Sequence, residues 1–286
     1  MTQISNPFFQ DKVAIITGGG GLLCSAIAKD LARQGTKVAL LGRTLDTLES
    51  VAHEISQAGG TALPLVADAT DIEQLNAARI AIKDQLGDAW FLINGAGGNQ
   101  APAITTLTQY DPIELSPEKP EDVRGFFNLD PDAFENVIRV NTMGTMIPTQ
   151  VFGADLARLG RGSILTFSSM TGYKAISRVG AYATAKTGII RLTEWLATYL
   201  APAGIRVNGI VPGFFVNDRS RKILMNPDGS LSKRGQDVLN HSGFKRFGEA
   251  EELLGSVNWL LNDEQAAFVT GQMITVDGGF LANPGV

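Results

Sequence analysis

Two patterns of apolar residues alternate along the chain. Between most of the short apolar runs, apolar residues recur at intervals of three or four, as at Leu48, Val51 and Ile55. This second spacing predicts helices with one apolar face, whereas the short runs predict buried strands. The alternation predicts an α/β fold: a doubly wound parallel sheet of about seven strands with helices on both faces. The predicted strands are Val13–Thr17, Lys37–Leu41, Ala62–Ala67, Trp90–Ile93, Ser163–Phe167, Arg206–Ile210 and Met273–Val276.

No linker rich in Ser, Gly or Pro divides the chain, so we interpret residues 1–286 as one domain. An inserted loop at about residues 98–131 breaks the rhythm, with four prolines before Pro131 and no sustained period. A loop this long is usually functional or mobile, and it follows the fourth strand at the sheet edge where ligands bind. The alternative is that this loop covers part of the surface and has no role in ligand binding. The sequence then predicts a helix over Phe134–Leu159 that opens after Asp130-Pro131 and contains Pro148, and a late helix over Ala250–Leu261.

Composition and charge exclude several classes of protein. The net charge is −5 with interspersed signs, so no basic surface indicates nucleic-acid binding. No apolar run approaches the roughly 20 residues that span a bilayer, and the first residues lack the pattern of a signal peptide. One cysteine excludes an internal disulfide, and two distant histidines offer no metal site. We therefore expect a cytoplasmic protein without metal, membrane or nucleic-acid partners.

A glycine-rich turn, Gly18–Gly21, lies between the first strand and the first helix. Backbone amides in such a turn can approach a pyrophosphate, as in Rossmann-like folds, although a plain tight turn is the alternative. The second strand ends at Leu41, where the adenosine ribose of a dinucleotide would lie. Gly42 has no carboxylate that could accept hydrogen bonds from the two ribose hydroxyls of NAD. Arg43, the next residue, carries a guanidinium that can bind the 2′-phosphate of NADP. This favours NADP over NAD, unless Arg43 is a solvated surface charge.

Tyr182 and Lys186 are four residues apart in a stretch compatible with helix, so they share one face. The pKa of a phenol is about 10, and a close ammonium favours the phenolate, which makes the pair a candidate for proton transfer. An ordinary half-exposed helix face is the alternative. Ser169 lies thirteen residues before Tyr182 at the end of the fifth strand. Strand alternation places its neighbour Ser168 on the opposite face.

Together these motifs resemble the short-chain dehydrogenase/reductase family along nearly the whole chain. The similar segments are Thr17-Gly18-Gly19, Asp68, Asn94-Gly-Ala-Gly97, Val140-Asn141, Ser168-Ser169, Tyr182-x-x-x-Lys186, Pro212-Gly213, Val269-Thr-Gly271 and Val276-Asp-Gly-Gly279. The glycine turn departs from the family pattern, with Leu22 and Cys24 where glycines are usual. With these two residues, the glycine turn is similar to that of the D-mannonate (D-fructuronate) oxidoreductase-like branch of the family. We expect Cys24 to pack in place of the last glycine and Leu22 to point away from the phosphates.

The resemblance implies a role for each site residue. Ser169 would hydrogen-bond the substrate oxygen, Tyr182 would transfer its proton, Lys186 would lower the tyrosine pKa and hold the nicotinamide ribose, and Asn141 would support a proton-carrying water. The implied cofactor residues are Gly18, Gly20, Gly21, Leu22, Leu23, Arg43, Asp68, Ala69, Asn94, Gly95, Ala96, Tyr182, Lys186, Pro212, Gly213 and Phe215. Asn217 stands where the family often has Thr. A homotetramer is also implied.

The predicted substrate loop, at about residues 213–245, is basic near its start. Arg219, Arg221, Lys174 and Arg178 are candidate partners for a sugar-acid carboxylate, each with a solvated surface charge as the alternative. The resulting hypothesis is NAD(P)-dependent interconversion of D-mannonate and D-fructuronate. The alternatives are another carbonyl reductase of the family, gluconate 5-dehydrogenase-like or 3-oxoacyl reductase-like, and a non-catalytic dinucleotide-binding sensor.

Overall fold

Parallel strands form one sheet in the order β3-β2-β1-β4-β5-β6-β7. The computed structural model describes residues 7–216 and 218–283, without the side chains of residues 218, 219 and 222. All seven predicted strands are present, and their ends differ from the predicted ones by two residues or fewer. The strands are β1 Val13–Thr17, β2 Lys37–Gly42, β3 Thr61–Val66, β4 Ala89–Asn94, β5 Gly162–Phe167, β6 Ile205–Pro212 and β7 Met273–Val276.

Helices cover both faces of the sheet, which confirms the doubly wound α/β fold. They are α1 Leu22–Arg33, α2 Leu45–Gln57, α3 Ile72–Leu86, α4 Pro131–Leu159, α5 Gly180–Leu200, α6 Asp218–Leu224, α7 Lys233–His241, α8 Leu254–Leu261 and α9 Asp263–Ala266. None of the helices in the described ranges is long and apolar enough to cross a membrane.

Successive residues of each central strand face opposite sides of the sheet, which explains why the strands are almost wholly apolar. In β1, Ile16 packs into the core beneath α1, α2 and α8, and Ile15 packs into the core on the other face, beneath α3, α4 and α5. The chain reverses its direction of winding between β1 and β4. Their carboxyl ends therefore open a crevice in which a ligand can bind.

The inserted segment 98–131 contains three short 3₁₀ turns, at Ala101–Ala103, Pro112–Leu115 and Phe126–Asn128. Polar contacts fix its path: Arg124 Nη1 donates to the Ile104 carbonyl at 3.0 Å, and the buried Glu114 carboxylate accepts from the Phe127 amide at 3.2 Å. The segment is thus ordered by its own side chains and backbone groups.

Helix α4 begins at Pro131, within the predicted opening at Asp130-Pro131, because the Asp130 side chain caps the amides of Asp132 and Ala133. It continues through Pro148 for 29 residues. The predicted late helix is confirmed as a helical stretch, but its first turn, Ala250–Leu253, is a 3₁₀ turn before α8.

Candidate active site

Tyr182 and Lys186 lie one turn apart on α5, beside the carboxyl end of β5. The Lys186 Nζ is 5.4 Å from the centroid of the Tyr182 ring and donates to the Phe167 carbonyl at 2.7 Å. Only 4% of Lys186 is exposed. The strand end therefore fixes the ammonium, and the ammonium lies close to the phenol.

The two serines after β5 face in different directions. The Ser168 hydroxyl is buried and donates to the Lys186 carbonyl at 2.7 Å, so it fastens α5 to the strand end. The Ser169 hydroxyl instead caps the 3₁₀ turn Met170–Gly172, accepting from the Thr171 amide at 3.3 Å, and it lies close enough to Tyr182 to act on the pKa of the phenol. Of the two hydroxyls, the one on Ser169 lies beside the phenol, as strand alternation predicts.

Burial has the largest effect on the pKa values of this cluster. It raises the pKa of Tyr182 above its ordinary value of 10.0, and the Ser169 hydroxyl acts in the opposite direction. Burial also lowers the pKa of Lys186 from 10.5 to about 8. The sequence predicts that Lys186 lowers the pKa of Tyr182; in the structure the lowering contribution comes from Ser169, and the net direction is upward. At pH 7 the phenol is neutral and most Lys186 side chains carry a proton.

Asn141 is fully buried within α4, and its side chain holds the start of the inserted segment. Its Nδ2 donates to the carbonyls of Gly98 and Val137, each at 2.7 Å, and its Oδ1 accepts from the Gly98 amide at 3.1 Å. A Cβ atom at Gly97 would lie 2.5 Å from the Asn141 Oδ1 and 3.5 Å from the Lys186 Nζ. Asn141 and Lys186 therefore meet around Gly97, although the amide group of Asn141 is occupied by backbone partners.

The glycine turn and the end of β4 pack against each other too closely for larger residues. Gly18 has a φ of 68°, and a Cβ there would lie 2.8 Å from the Gly95 carbonyl oxygen. A Cβ on Gly95 would overlap the Cys24 sulfur. Cys24 therefore fills the space between α1 and β4, as the sequence predicts. Burial raises the pKa of its thiol to about 12, although the nearby Lys186 lowers it, so the thiol is unreactive.

A cleft of about 140 Å³ follows the carboxyl ends of β1 to β4. Its lining includes Gly18, Gly42, Arg43, Asp68, Ala69 and Ala96. Arg43 is exposed at its rim, and the Asp68 carboxylate accepts from the amide and the hydroxyl of Thr70, each at 2.8 Å. Helix α1 begins beside the cleft after Gly21, which has no side chain to cap the first amides. Small residues, free space and a helix N-terminus together fit the adenosine and phosphates of a dinucleotide.

The remaining predicted cofactor residues lie around this cleft and at the end of β6. Leu22, 38% exposed, opens α1, and Leu23 follows it, partly buried. The Asn94 Nδ2 donates to the Thr149 hydroxyl at 2.9 Å.

Pro212 ends β6, and the Gly213 amide donates to the Val276 carbonyl at 2.9 Å. The Phe215 ring packs against Gly248 in a separate cavity of about 220 Å³.

A larger basic cavity, of about 670 Å³, lies between α7 and the segment that joins Ser169 to Tyr182. Its lining includes Lys174 and Arg178, two of the predicted carboxylate partners, together with Lys233 and Arg234, which the sequence analysis missed. Arg221 is exposed on α6, outside this lining, and contacts the Met225 sulfur. Asn217 and the side chain of Arg219 lie outside the described part of the chain.

Comparison with known proteins identifies the family. The family model for short chain dehydrogenases matches residues 12–227. An uncharacterised oxidoreductase, UxuB of Bacillus subtilis (strain 168), is 42% identical over 275 residues, 96% of each protein. The chain therefore belongs to the short-chain dehydrogenase family, and it is an oxidoreductase of that family.

Two solved structures are similar over almost the whole chain. One is a proposed D-mannonate oxidoreductase from Haemophilus influenza with bound NAD: it is 37% identical, with a TM-score of 0.90, and the match covers 98% of this chain and 100% of that one. The other is a xylitol dehydrogenase with bound NAD⁺, which is 27% identical, with a TM-score of 0.81 and coverage of 95% and 99%. The family and these structures support a nicotinamide dinucleotide as the cofactor.

Proposed function

We propose that this protein is an NAD(P)-dependent oxidoreductase that interconverts D-mannonate and D-fructuronate. The observation that carries the proposal is the basic cavity lined by part of the segment that joins Ser169 to Tyr182, because a sugar acid offers both an alcohol carbon and a carboxylate. The similarity to the Haemophilus protein, a proposed D-mannonate oxidoreductase, supports the same substrate.

The roles of the site residues follow from their contacts. When bound, the nicotinamide supplies the acceptor for a hydride from the alcohol carbon, and a proton leaves the alcohol oxygen. Tyr182 takes that proton in oxidation and returns it in reduction. Ser169, which lies close to Tyr182, orients the substrate oxygen toward the phenol. Lys186 provides a positive charge that stabilises the phenolate after the proton has moved, and Asn141 positions the backbone at Gly97 and Gly98 beside it.

We further propose that Arg43 favours NADP over NAD. Its exposed guanidinium stands at the rim of the cleft next to Gly42, a position that itself offers no carboxylate to the ribose hydroxyls. The ratio of kcat/KM for NADP⁺ to that for NAD⁺ measures this preference. Arg43→Ala is expected to lower this ratio by about 10-fold or more. An unchanged ratio would mean that Arg43 is a solvated charge that does not contact the cofactor.

The absorbance of the reduced nicotinamide tests the function directly, with D-mannonate, D-gluconate and a neutral polyol as substrates. Oxidation of D-mannonate with a kcat/KM well above that for the others supports the proposal. Tyr182→Phe is expected to lower kcat about 10²–10⁴-fold while cofactor affinity stays within about twofold, because only the proton-transfer group is lost. A preference for D-gluconate would favour a gluconate 5-dehydrogenase-like enzyme. Cofactor binding without turnover of any substrate would favour a sensor.

A further inference from the structure

The basic cavity between α7 and the Ser169–Tyr182 segment holds more positive charge than the protein neutralises there. Lys174, Arg178, Lys233 and Arg234 line it, and Asp237 is the acidic residue in the lining. Within the described side chains, none of the four cations forms an ion pair with a carboxylate at 4.0 Å or less. His241, also in the lining, is directed to the backbone: its Nδ1 lies 2.7 Å from the Asp237 carbonyl.

Arg178 occupies this cavity at a conformational cost. Its φ is 81°, in the left-handed region that favours glycine or asparagine, and non-glycine residues there are strained. The position is held by reciprocal contacts with the inserted segment: the Arg178 Nε donates to the Thr105 carbonyl at 2.7 Å, and the Thr105 amide donates to the Arg178 carbonyl at 3.1 Å. The inserted segment therefore fixes both the backbone and the guanidinium plane of an unfavourably placed arginine.

Lys233 and Arg234 are also unfavourably placed, because they form the start of α7. A helix N-terminus carries partial positive charge and favours acidic side chains, yet the first turn of α7 has none and contains these two cations instead. The Ser232 hydroxyl caps the helix by accepting from the Gly235 amide at 3.1 Å, so the N-terminus itself is an ordinary one. Arg234 is half-buried, and burial has the largest effect in lowering its pKa. The positive charge of Arg178 lowers the Arg234 pKa further, and the Asp237 carboxylate offsets part of this effect.

Three unfavourable features thus converge on one cavity: a strained arginine, cations at a positive helix end, and two neighbouring guanidinium groups. A bound anion offsets all three. Guanidinium groups bind a carboxylate through paired N–H donors in a plane, and two such groups can hold one carboxylate from both sides. Lys174 is less suited to this role, because its Nζ already donates to the Leu281 carbonyl at 2.7 Å.

We propose that Arg178 and Arg234 together bind the carboxylate of the substrate, and that this pair selects sugar acids over neutral polyols. The inference rests on the proposed function for the identity of the sugar acid. Thr105 is a positioning residue for Arg178. The Phe214 and Phe280 rings, in edge-on contact with a centroid separation of 5.4 Å, form an apolar part of the same cavity lining. The carboxylate is therefore bound at a partly desolvated site, where a charged hydrogen bond contributes more than it does at the surface.

The test compares two ligands that differ in one group. D-Mannonate carries a carboxylate where D-mannitol carries a hydroxymethyl group. Isothermal titration calorimetry of the protein saturated with NADPH, which cannot accept a hydride from an alcohol, measures the binding of both, and D-gluconate provides a second aldonate. We expect the protein to bind at least one aldonate more tightly than D-mannitol. Arg178→Gln and Arg234→Gln are each expected to weaken aldonate binding by about 10- to 100-fold and to leave D-mannitol binding unchanged.

Two further variants separate binding from folding. Arg178→Gly relieves the left-handed backbone, so it is expected to melt no lower than the wild type and still to lose aldonate affinity. A merely structural role for Arg178 would instead lower the melting temperature and leave the affinity intact. Arg33→Gln is the matched control: Arg33 is exposed on α1 and pairs with Asp30 at 2.9 Å, and the variant is expected to bind like the wild type.

The outcomes distinguish this inference from the proposed function. Aldonate binding that depends on Arg178 and Arg234, without oxidation of any aldonate, would support the carboxylate site and reject the proposed function. Oxidation of D-mannonate with unchanged KM in both glutamine variants would reject the carboxylate site and support the function. Absence of aldonate binding by the wild type would also overturn the inference.

Discussion

Lys186 carries its charge in a buried position, and replacing it with methionine measures what that burial costs. Its pKa is about 8, against an ordinary value of 10.5. At about 1.4 kcal/mol per pH unit, the difference corresponds to about 3 kcal/mol by which the protonated side chain destabilises the folded protein at pH 7. Methionine removes this cost but leaves the Phe167 carbonyl without its donor, which costs about 1–2 kcal/mol. We therefore expect Lys186→Met to be inactive and yet more stable at pH 7, by about 1–2 kcal/mol.

The stability difference between the two proteins also depends on pH. Below pH 8 the folded and unfolded wild-type chains both bind the Lys186 proton, so its full cost is present. Between pH 8 and pH 10.5 the unfolded chain keeps a proton that the folded chain has lost, and wild-type stability rises by up to about 1.4 kcal/mol per pH unit relative to the variant. The advantage of Lys186→Met should therefore shrink by about 2 kcal/mol between pH 8 and pH 9.5.

Urea unfolding followed by far-ultraviolet circular dichroism, at pH 7.0 and 9.5, gives both free energies of unfolding. Lys83→Met is the control, because the Lys83 side chain is 65% exposed and is expected to show no such pH dependence. A difference between wild type and Lys186→Met that is the same at both pH values would refute the reasoning, since it would mean that the buried lysine has an ordinary pKa.

Three other predictions test separate parts of the structure. Gly95→Ala is expected to destabilise the protein by about 2–3 kcal/mol in thermal unfolding, because the new methyl group overlaps the Cys24 sulfur and lies 2.9 Å from the Thr17 carbonyl. Adding Cys24→Ala should restore part of that stability, and a double variant whose loss equals the sum of the two single losses would contradict the contact. Because the pKa of Tyr182 is raised, kcat/KM for alcohol oxidation should increase with pH from 7 to 9 as the phenolate fraction grows, and a flat profile would argue against Tyr182 as the base. Arg206→Ala should lower the free energy of unfolding in urea by about 3 kcal/mol, because the almost fully buried guanidinium pairs with Asp263 at 2.6 Å and donates to the Leu260 carbonyl at 2.8 Å. A loss below about 1 kcal/mol is typical of an exposed ion pair and would contradict the burial of this one.

The fold was predictable from sequence because each strand of a parallel sheet is buried on both sides and so appears as an unbroken apolar run. Helix α4 shows where local signals are insufficient. Pro148 is a helix breaker in isolation, but it is buried in a helix that packs against α5 and β4, and tertiary packing outweighs its local preference. The start of α4 has a local signal in Asp130-Pro131, a capping residue followed by a proline that suits the first helical position.

The candidate site was predictable to the extent that its residues lie close together in sequence. Tyr182 and Lys186 are brought together by one helix, and Ser169 by the strand end beside it. The direction of the Tyr182 pKa could not be predicted, because burial depends on the packing of distant elements. Lys233 and Arg234 were missed for a related reason: they lie more than fifty residues after Arg178, and only the return of α7 to this side of the sheet brings them to it. The sequence signal for them is their position directly after the capping residue Ser232, since two cations in the first turn of a helix are unfavourable without a nearby anion.

The reciprocal hydrogen bonds between Thr105 and Arg178, and the grip of Asn141 on Gly98, attach the inserted segment at two points, one beside the carboxylate cavity and one beside Lys186. The inserted segment therefore couples two parts of the site that are far apart in sequence: a change in residues 98–131 can move Arg178 or the backbone beside Lys186 while leaving Ser169 and Tyr182 on their own elements.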